Sequence, residues 1–326
     1  MSPLLLAGFA AVLALVAAPR LAAAGWVARA PRLGVAAWLA LTAAVLSSAL
    51  LAGMSLLLYW QCAHDLASDA WHLCLAALAG HHDDHGTRAL ALTGLAALLL
   101  LGARLALGAG RLYTSDRTLR SRLRLLVRTA PPVQPVPGAT VIPHPEPAAY
   151  LVPGPRLPGR AADIVITSAA VDRLAATELS AVLAHERGHH EGRHFEATRW
   201  MRMLAQAFPW ARCFRLGARQ VDRLVELCAD DTAARTAPRL DLARALAALA
   251  VPAGSGPAGS GPAGSGPAGS VGDLALHGGD ALERMHRLLD PPRPLPRLYR
   301  AAIASLCGAS TTMPPFLAVL ERLVVA

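Results

Sequence analysis

The sequence contains no lysine: all 31 of its basic residues are arginines, against 22 acids, so the formal charge of +9 rests on guanidinium groups alone. It also lacks any Cys-x-x-Cys pair, its five cysteines standing at 62, 74, 213, 228 and 307. That excludes a cysteine zinc knuckle and a thioredoxin-type redox site, and leaves any bound metal to other ligands. Charge itself is scarce. With 16% charged residues, 54% hydrophobic residues and a mean hydropathy of +0.39, the 326-residue chain is too apolar for an ordinary soluble enzyme and points to a membrane protein. A basic excess can serve nucleic acid, anionic lipid or membrane topology, and its position along the chain decides among them.

Three apolar runs with few or no internal charges, residues 3–18, 34–60 and 89–107, read as membrane spans. The first is short, but no basic residue precedes it, so it reads as a span rather than a cleaved signal peptide. Arg20, Arg29 and Arg32 lie between the first two spans with no acid, whereas the loop 61–88 carries Asp65, Asp69, Asp83 and Asp84. The positive-inside rule then makes the first loop cytoplasmic and the second external. The third span returns to Arg111, Arg117, Arg120, Arg122, Arg124 and Arg128, in agreement with a cytoplasmic exit. This basic run adjoins a span and includes no aromatic but Tyr113, which favours lipid headgroups and leaves no direct nucleic-acid binding expected. In the external loop, Cys62 and Cys74 are placed where a disulfide could form. His64, His72, His81, His82 and His85 read as solvated polar groups rather than as a metal site or pH sensor.

A Pro-rich connector over residues 131–158 leads to a soluble stretch. Residues 162–167 (Ala-Asp-Ile-Val-Ile-Thr) predict a short strand, and residues 150–152 an edge strand bounded by prolines. From Thr177, a candidate N-cap, Leu179, Val182, Leu183 and Glu186 recur at helical spacing, predicting a buried helix over residues 179–194. On it lies His185-Glu186-Arg187-Gly188-His189, an HExxH motif. Helix positions i and i+4 project from one face, so both imidazoles can reach one tetrahedral zinc ion. Glu186, one residue on, is placed to take a proton from a metal-activated water as general base without being a ligand.

A catalytic zinc site needs a third protein ligand and an open position. The metzincin spacing would put a third histidine at residue 195, which is Phe195, so that class is excluded. His190 and His194 project away from the pair and read as supporting or surface groups. There remains a carboxylate from a later helix, over residues 219–235, where Glu226 and Asp230 stand at i and i+4. Glu226 could ligate zinc while Asp230 accepts the far N–H of a ligand histidine. Spacing alone leaves equally open a solvated helix face beside Arg223.

His-Glu-x-x-His followed on a second helix by Glu-x-x-x-Asp resembles the gluzincin membrane peptidases, both the HtpX and CaaX prenyl protease group and the BlaR/MecR antirepressor group. The stretches Ile-Val-Ile-Thr-Ser at 164–168 and Glu-Leu-Ser-Ala-Val-Leu-Ala at 178–184 are similar to both, and Phe208-Pro209-Trp210 is similar to the BlaR/MecR type. The resemblance implies that Glu226 is the third zinc ligand and Asp230 its supporting neighbour. Residues 283–289 resemble the late arginine-bearing segment of these peptidases, which implies that Arg284 helps hold the active site. The penicillin receptors of that group are expected to carry a sensor domain after their last span; here the last apolar segment, 301–320, is followed by six residues, too few for one.

The expected fold is thus a multi-span α-helical membrane protein with a mainly helical α+β zincin-like metalloprotease domain. Three spans occupy 1–110, a basic and Pro-rich connector 111–160, the catalytic domain 161–296, and a fourth span 297–326 that Pro314 and Pro315 interrupt. The Pro-Ala-Gly-Ser repeats within 251–270 read as a flexible insert. Trp200, Met203, Leu204, Phe208, Trp210 and Phe214, with Arg199, Arg202, Arg212 and Arg215 beside them, suggest a helix pair at the membrane interface, or alternatively core packing. The expected activity is zinc-dependent peptide hydrolysis at the cell membrane with the catalytic domain in the cytoplasm. The substrate is a protein or peptide, a winged-helix transcriptional repressor being one candidate. Quality-control or prenyl-type processing, and a receptor that binds zinc without catalysis, are the alternatives.

Overall fold

Long apolar runs leave the backbone no solvent partner but itself, and the chain answers with helices almost throughout. The computed structural model describes residues 2–58, 85–129, 136–152, 163–250 and 278–325. The loop holding Cys62, Cys74 and the clustered histidines, most of the Pro-rich connector, and the 251–270 repeats lie outside the described residues.

Helix α1 (Ser2–Val12) passes through a π-helical turn (Leu13–Ala17) into α2 (Ala18–Ala22); the wider turn directly precedes Pro19, whose nitrogen has no hydrogen to give the ladder. A short α3 (Trp26–Arg29) leads to α4 (Pro31–Leu58) and α5 (His85–Thr129). Then come strands β1 (Thr140–Ile142), β2 (Ala149–Val152) and β3 (Asp163–Thr167), and helices α6 (Ser168–Arg173), α7 (Ala176–Glu191), α8 (His194–Ala207), α9 (Arg212–Ala233), α10 (Arg239–Ala250), α11 (Gly278–Leu289) and α12 (Arg297–Val325). Four stretches, Pro3–Ala22, Pro31–Leu57, Ala89–Thr118 and Arg297–Ala318, are long and apolar enough to cross a membrane. They take in the expected runs 3–18 and 89–107 whole and most of 34–60 and 301–320; residues 59 and 60 lie outside the described residues. Pro314 and Pro315 sit inside α12 without ending it. The basic run after the third span continues α5 to Thr129 as one helix.

The sheet has the order β1-β3-β2, with β1 parallel and β2 antiparallel to β3. The edge position of β2 matches its expected role, but β1 lies in the stretch read only as connector. Ile164, Val165 and Ile166 are buried, as an apolar central strand requires. Thr167 closes the strand: its Oγ1 accepts from the Ala170 N–H at 3.3 Å and caps α6. The N-cap of α7 is Ala175, not Thr177. Glu178 at the third helical position accepts from the Ala175 N–H at 2.9 Å, doing from inside the helix what a capping side chain would do.

One apolar core joins the candidate spans to the helices that follow the sheet. Trp38 and Leu41 of α4, with Ala18 and Val27, are buried against Met201 and Leu204 of α8 and Phe214, Val221 and Leu224 of α9. The aromatic stretch expected at the interface divides accordingly: Leu204 and Phe214 enter this core, while Trp210 is 60% exposed. Among the candidate spans, α4 and α5 approach at paired glycines. A Cβ at Gly94 would lie 2.6 Å from Leu57 N and 2.7 Å from Gly53 O, both backbone atoms that cannot step aside. Gly94→Val should therefore force α4 and α5 apart and lower the melting temperature of the detergent-solubilised protein, whereas Gly102→Val, at a glycine with open space around it, should leave it close to the parent. Equal melting of the two variants would contradict this packing.

Candidate metal centre

The site is assembled from three helices. Helix α7 carries His185, Glu186 and His189, α9 carries Glu226 and Asp230, and α11 carries Arg284. The first two helices come close because Gly188, inside the HExxH motif, faces Ala229: a Cβ at 188 would lie 3.2 Å from both Ala229 Cα and Ala229 O. A larger residue at that place would hold α9 away from the histidines.

His185 Nε2 and His189 Nε2 face each other at 3.1 Å; each is 3.4 Å from an oxygen of Glu226, Oε2 for His185 and Oε1 for His189. These three residues form a group that could hold a metal ion. Around a tetrahedral zinc with bonds of about 2.0–2.2 Å, any two ligand atoms stand roughly 3.3–3.6 Å apart; both His–Glu226 separations of 3.4 Å fall in that range, and the His185–His189 separation of 3.1 Å is slightly tighter. Their chemistry, two imidazoles and one carboxylate, also suits zinc.

Each histidine is held from behind. His185 Nδ1 lies 2.9 Å from Asp230 Oδ1, so Nδ1–H donates to the carboxylate and Nε2 is the ring nitrogen that faces the other donors. His189 Nδ1 lies 3.1 Å from Nδ1 of His194. Here the structure corrects the expectation of one helix running to residue 194. Helix α7 ends at Glu191, Arg193 turns in the left-handed region at φ 52°, and His194 opens α8, 7% exposed. Gly192 makes room for its ring, since a Cβ there would overlap it. Burial, then the neighbouring His189, pushes the His194 pKa down to about 3, so its imidazole is neutral and its Nδ1 can accept from His189 Nδ1–H.

The carboxylates are gripped by Arg284, which is 2% exposed. Its Nε and one terminal nitrogen bond the two Asp230 oxygens at 2.8 and 2.7 Å, and the other terminal nitrogen lies 2.9 Å from Glu226 Oε2. Burial alone would raise Asp230, but Arg284 and His185 overcome it and hold the carboxyl down at about 2. Glu226 likewise is lifted by burial yet held well below the usual carboxylate range by His185, His189 and Arg284. His185 shows the converse: burial opposes its charge, but hydrogen bonds to Asp230 and Glu226 hold its pKa up at about 9. The anionic cluster thus favours positive charge among its donors. Two further arginine–carboxylate pairs, Arg223 with Glu283 and Arg287 with Asp231 at 2.6 and 2.8 Å, fasten α11 along α9.

Of the residues expected in the site, His185, His189, Glu226, Asp230 and Arg284 are in mutual contact, and Glu186, 9% exposed on the same helix turn, lies within electrostatic reach of Arg284. His194 was underweighted in the sequence, although the Gly192-Arg193 dipeptide before it is a signal for a helix end. Among known proteins, residues 113–211 match the family model for peptidase family M48. The matched stretch takes in the HExxH helix and His194 and stops short of Glu226, Asp230 and Arg284. It supports a metallopeptidase of that family and does not single out the antirepressor group. No curated protein and no solved structure matches the chain.

Removing one partner of a buried ion pair leaves the other charge stranded, at a cost of about 3–5 kcal/mol. Arg284→Met should accordingly lower the stability of the solubilised protein by about that much, and Arg284→Met with Asp230→Leu should recover most of it. Denaturant unfolding of the two variants beside the parent checks this; a single variant as stable as the parent would contradict it.

Proposed function

We propose that the chain is an integral-membrane zinc metalloendopeptidase that hydrolyses a protein substrate at the cytoplasmic face of the cell membrane. The observation that carries this is the convergence of His185, His189 and Glu226 at tetrahedral spacing, with the second nitrogen of each imidazole engaged by Asp230 or His194. Three protein donors leave a fourth position for water and substrate, as catalytic rather than structural zinc sites do. The family M48 match supports the same class of reaction.

His185, His189 and Glu226 would hold the ion, and zinc, when bound, supplies Lewis acidity toward a water and toward a peptide carbonyl. Glu186 follows His185 directly in the helix and is not needed as a ligand, so its carboxylate is free to take the proton from the attacking water and pass it to the leaving amine. Asp230 keeps the Nδ1 proton on His185, and His194 keeps it on His189, so both Nε2 atoms stay available as donors. Arg284 balances the charge of Glu226 and Asp230 and fixes their oxygens in place. The substrate is a protein or peptide; a winged-helix repressor is a candidate because of the antirepressor-like motifs in the sequence, and a misfolded or lipidated protein is the processing alternative.

Glu186→Gln should retain zinc and lose cleavage of an unfolded test protein by at least about a hundredfold, the range general-base catalysis supplies. Glu226→Ala should lose most of its metal, and His194→Phe should weaken metal retention by about ten- to a hundredfold, as losses of groups behind a ligand do. Metal analysis beside a chelator-sensitive cleavage assay reads both. Full cleavage by zinc-loaded Glu186→Gln would refute the mechanism, and zinc-bound parent protein without turnover would favour a non-catalytic receptor.

The cytoplasmic placement rests on the arginine asymmetry of the loops. Arg235 is exposed beyond the end of α9. In a protein with Cys62 and Cys74 changed to serine, Arg235→Cys should react with an impermeant maleimide only after the cells are opened; labelling of intact cells would reverse the topology.

A further inference from the structure

Helix α8 runs antiparallel along α5, and three contacts set the register between them. Arg199 pairs with Asp116 at 3.3 Å, Gly108 lies against Met203 and Ala207, and the Arg104 guanidinium sits 4.6 Å over the Trp210 ring. Moving along α8 toward its C-terminal end is thus moving along α5 back into its apolar stretch, where Arg104 is the one charge between Ala89 and Gly110. A hydrocarbon layer takes about 20 helical residues. The α5 stretch Ala89–Thr118 has 30 and the α4 stretch Pro31–Leu57 has 27, so each has a surplus. In α5 the surplus is the charged end with Arg111, Asp116 and Arg117; in α4 it is the end from Pro31 to Trp38, where Trp38 is fully covered by the soluble helices. Counting about 20 residues from the far ends puts the boundary of the apolar layer near Gly108 on α5 and near Trp38 on α4. Both helices place the turn between α8 and α9 at one level, because Trp210 touches Arg104 and Phe214 shares a core with Trp38.

We propose that the Phe208–Ala211 turn is an interfacial anchor that inserts Trp210 among anionic phospholipid headgroups. Trp210 is 60% exposed, with the Arg104 guanidinium over its ring and Phe208 meeting it in a T-shaped contact at 6.0 Å, and the exposed Arg212 and Arg215 follow it in the chain. An aromatic ring with a polar N–H beside guanidinium groups suits the headgroup layer, where the ring leaves water and the arginines meet phosphate. Continuity with two spans fixes the height of the turn, and charge selects the lipid. The anchor rests on the membrane-spanning reading and not on catalysis.

The full chain, reconstituted in vesicles of phosphatidylcholine and phosphatidylglycerol, tests this through tryptophan emission. The contribution of Trp210 is the difference between parent and Trp210→Phe. Lipids brominated at acyl positions 6 and 7, within the about 5–10 Å that interfacial groups penetrate, should quench that difference roughly twofold, more than bromines at positions 11 and 12, while aqueous iodide should leave it nearly unchanged. Quenching should weaken when phosphatidylglycerol is omitted, and in Arg212→Gln with Arg215→Gln. Iodide quenching without bromine quenching would put Trp210 in water and overturn the anchor. Quenching by neither would mean a protein covers the ring, and undiminished bromine quenching without anionic lipid would overturn the choice of lipid. Failure of the parent chain to stay with the vesicles would strike the membrane reading instead, which keeps the two failures apart.

Discussion

The arrangement at the centre depends on one buried cation. Arg284 stands on α11 and is packed away from water together with Asp230, which is 1% exposed, and beside Glu226. Neither carboxylate could stay ionised in that setting by itself, because burial raises a carboxylic acid. With the guanidinium bridging them, both are held low, and an ionised Glu226 oxygen is what a metal requires of it. The same bridge fixes Asp230 against His185, and so the orientation of the first imidazole follows from a residue 99 positions away. The arginine is a positioning group: nothing in its geometry asks it to touch substrate.

Helix α9 then transmits this order in two directions. Toward α7 it presents Glu226 and Asp230, and the bare backbone at Gly188 lets the two helices meet. Toward α4 it presents Leu224 and Gly217. A Cβ at Gly34 would lie 2.9 Å from Leu224 Cδ1, and one at Gly217 would lie 3.0 Å from the Trp38 ring, so this contact is also made at glycines. Arg32 bonds Thr232 at 3.1 Å and Arg287 bonds the Ala28 carbonyl at 3.1 Å, tying the start of α4 to the far end of α9 and α3 to α11. Leu224 is two residues from Glu226. A displacement of α4 would therefore be felt at the carboxylate, because close-packed helices respond to displacement by shifting as bodies.

How much of this was legible in the sequence varies with how local each feature is. His185, Glu186 and His189 are one helical turn, and their geometry follows from 3.6 residues per turn alone. That long apolar helices occupy these runs follows from composition in the same way. Glu226 and Asp230 were visible as a pair, but whether they faced solvent or the histidines depended on the packing of α9 against α7, which no spacing within α9 encodes. Arg284 was visible only through a likeness in motif, since it joins the site across the 251–277 stretch. His194 was hidden by a wrong continuation: the apolar and polar periodicity runs on past Glu191, and the left-handed turn at Arg193 that swings the ring back to His189 needed the Gly192 signal to be weighed above periodicity. Strand β1 is three residues long, too short for alternation to show, and is specified by its partner β3.

The absence of lysine has a counterpart in this architecture. Helix α11 is fastened to α9 by three pairs, Arg223–Glu283, Arg284–Asp230 and Arg287–Asp231, and in each the planar fork of an arginine grips both oxygens of a carboxylate. A lysine could offer a point charge but not two parallel donors, and when buried it gives up its proton readily, which would strand the carboxylate it was meant to balance. Arg284 remains charged despite burial, with its pKa raised further by Asp230 after burial has pulled against it. The same property suits Arg104, a charge in an otherwise apolar helix that lies over the face of Trp210. Helix α9 begins at that level and carries Glu226 fourteen residues further on, about 21 Å along the axis. In the proposed membrane placement any tilt of the helix shortens this height, so the site would stand outside the apolar layer but within about 21 Å of it. On that reading a scissile bond buried in the bilayer core would be out of its reach, whereas a juxtamembrane segment, or a soluble protein brought to the surface, would be within it.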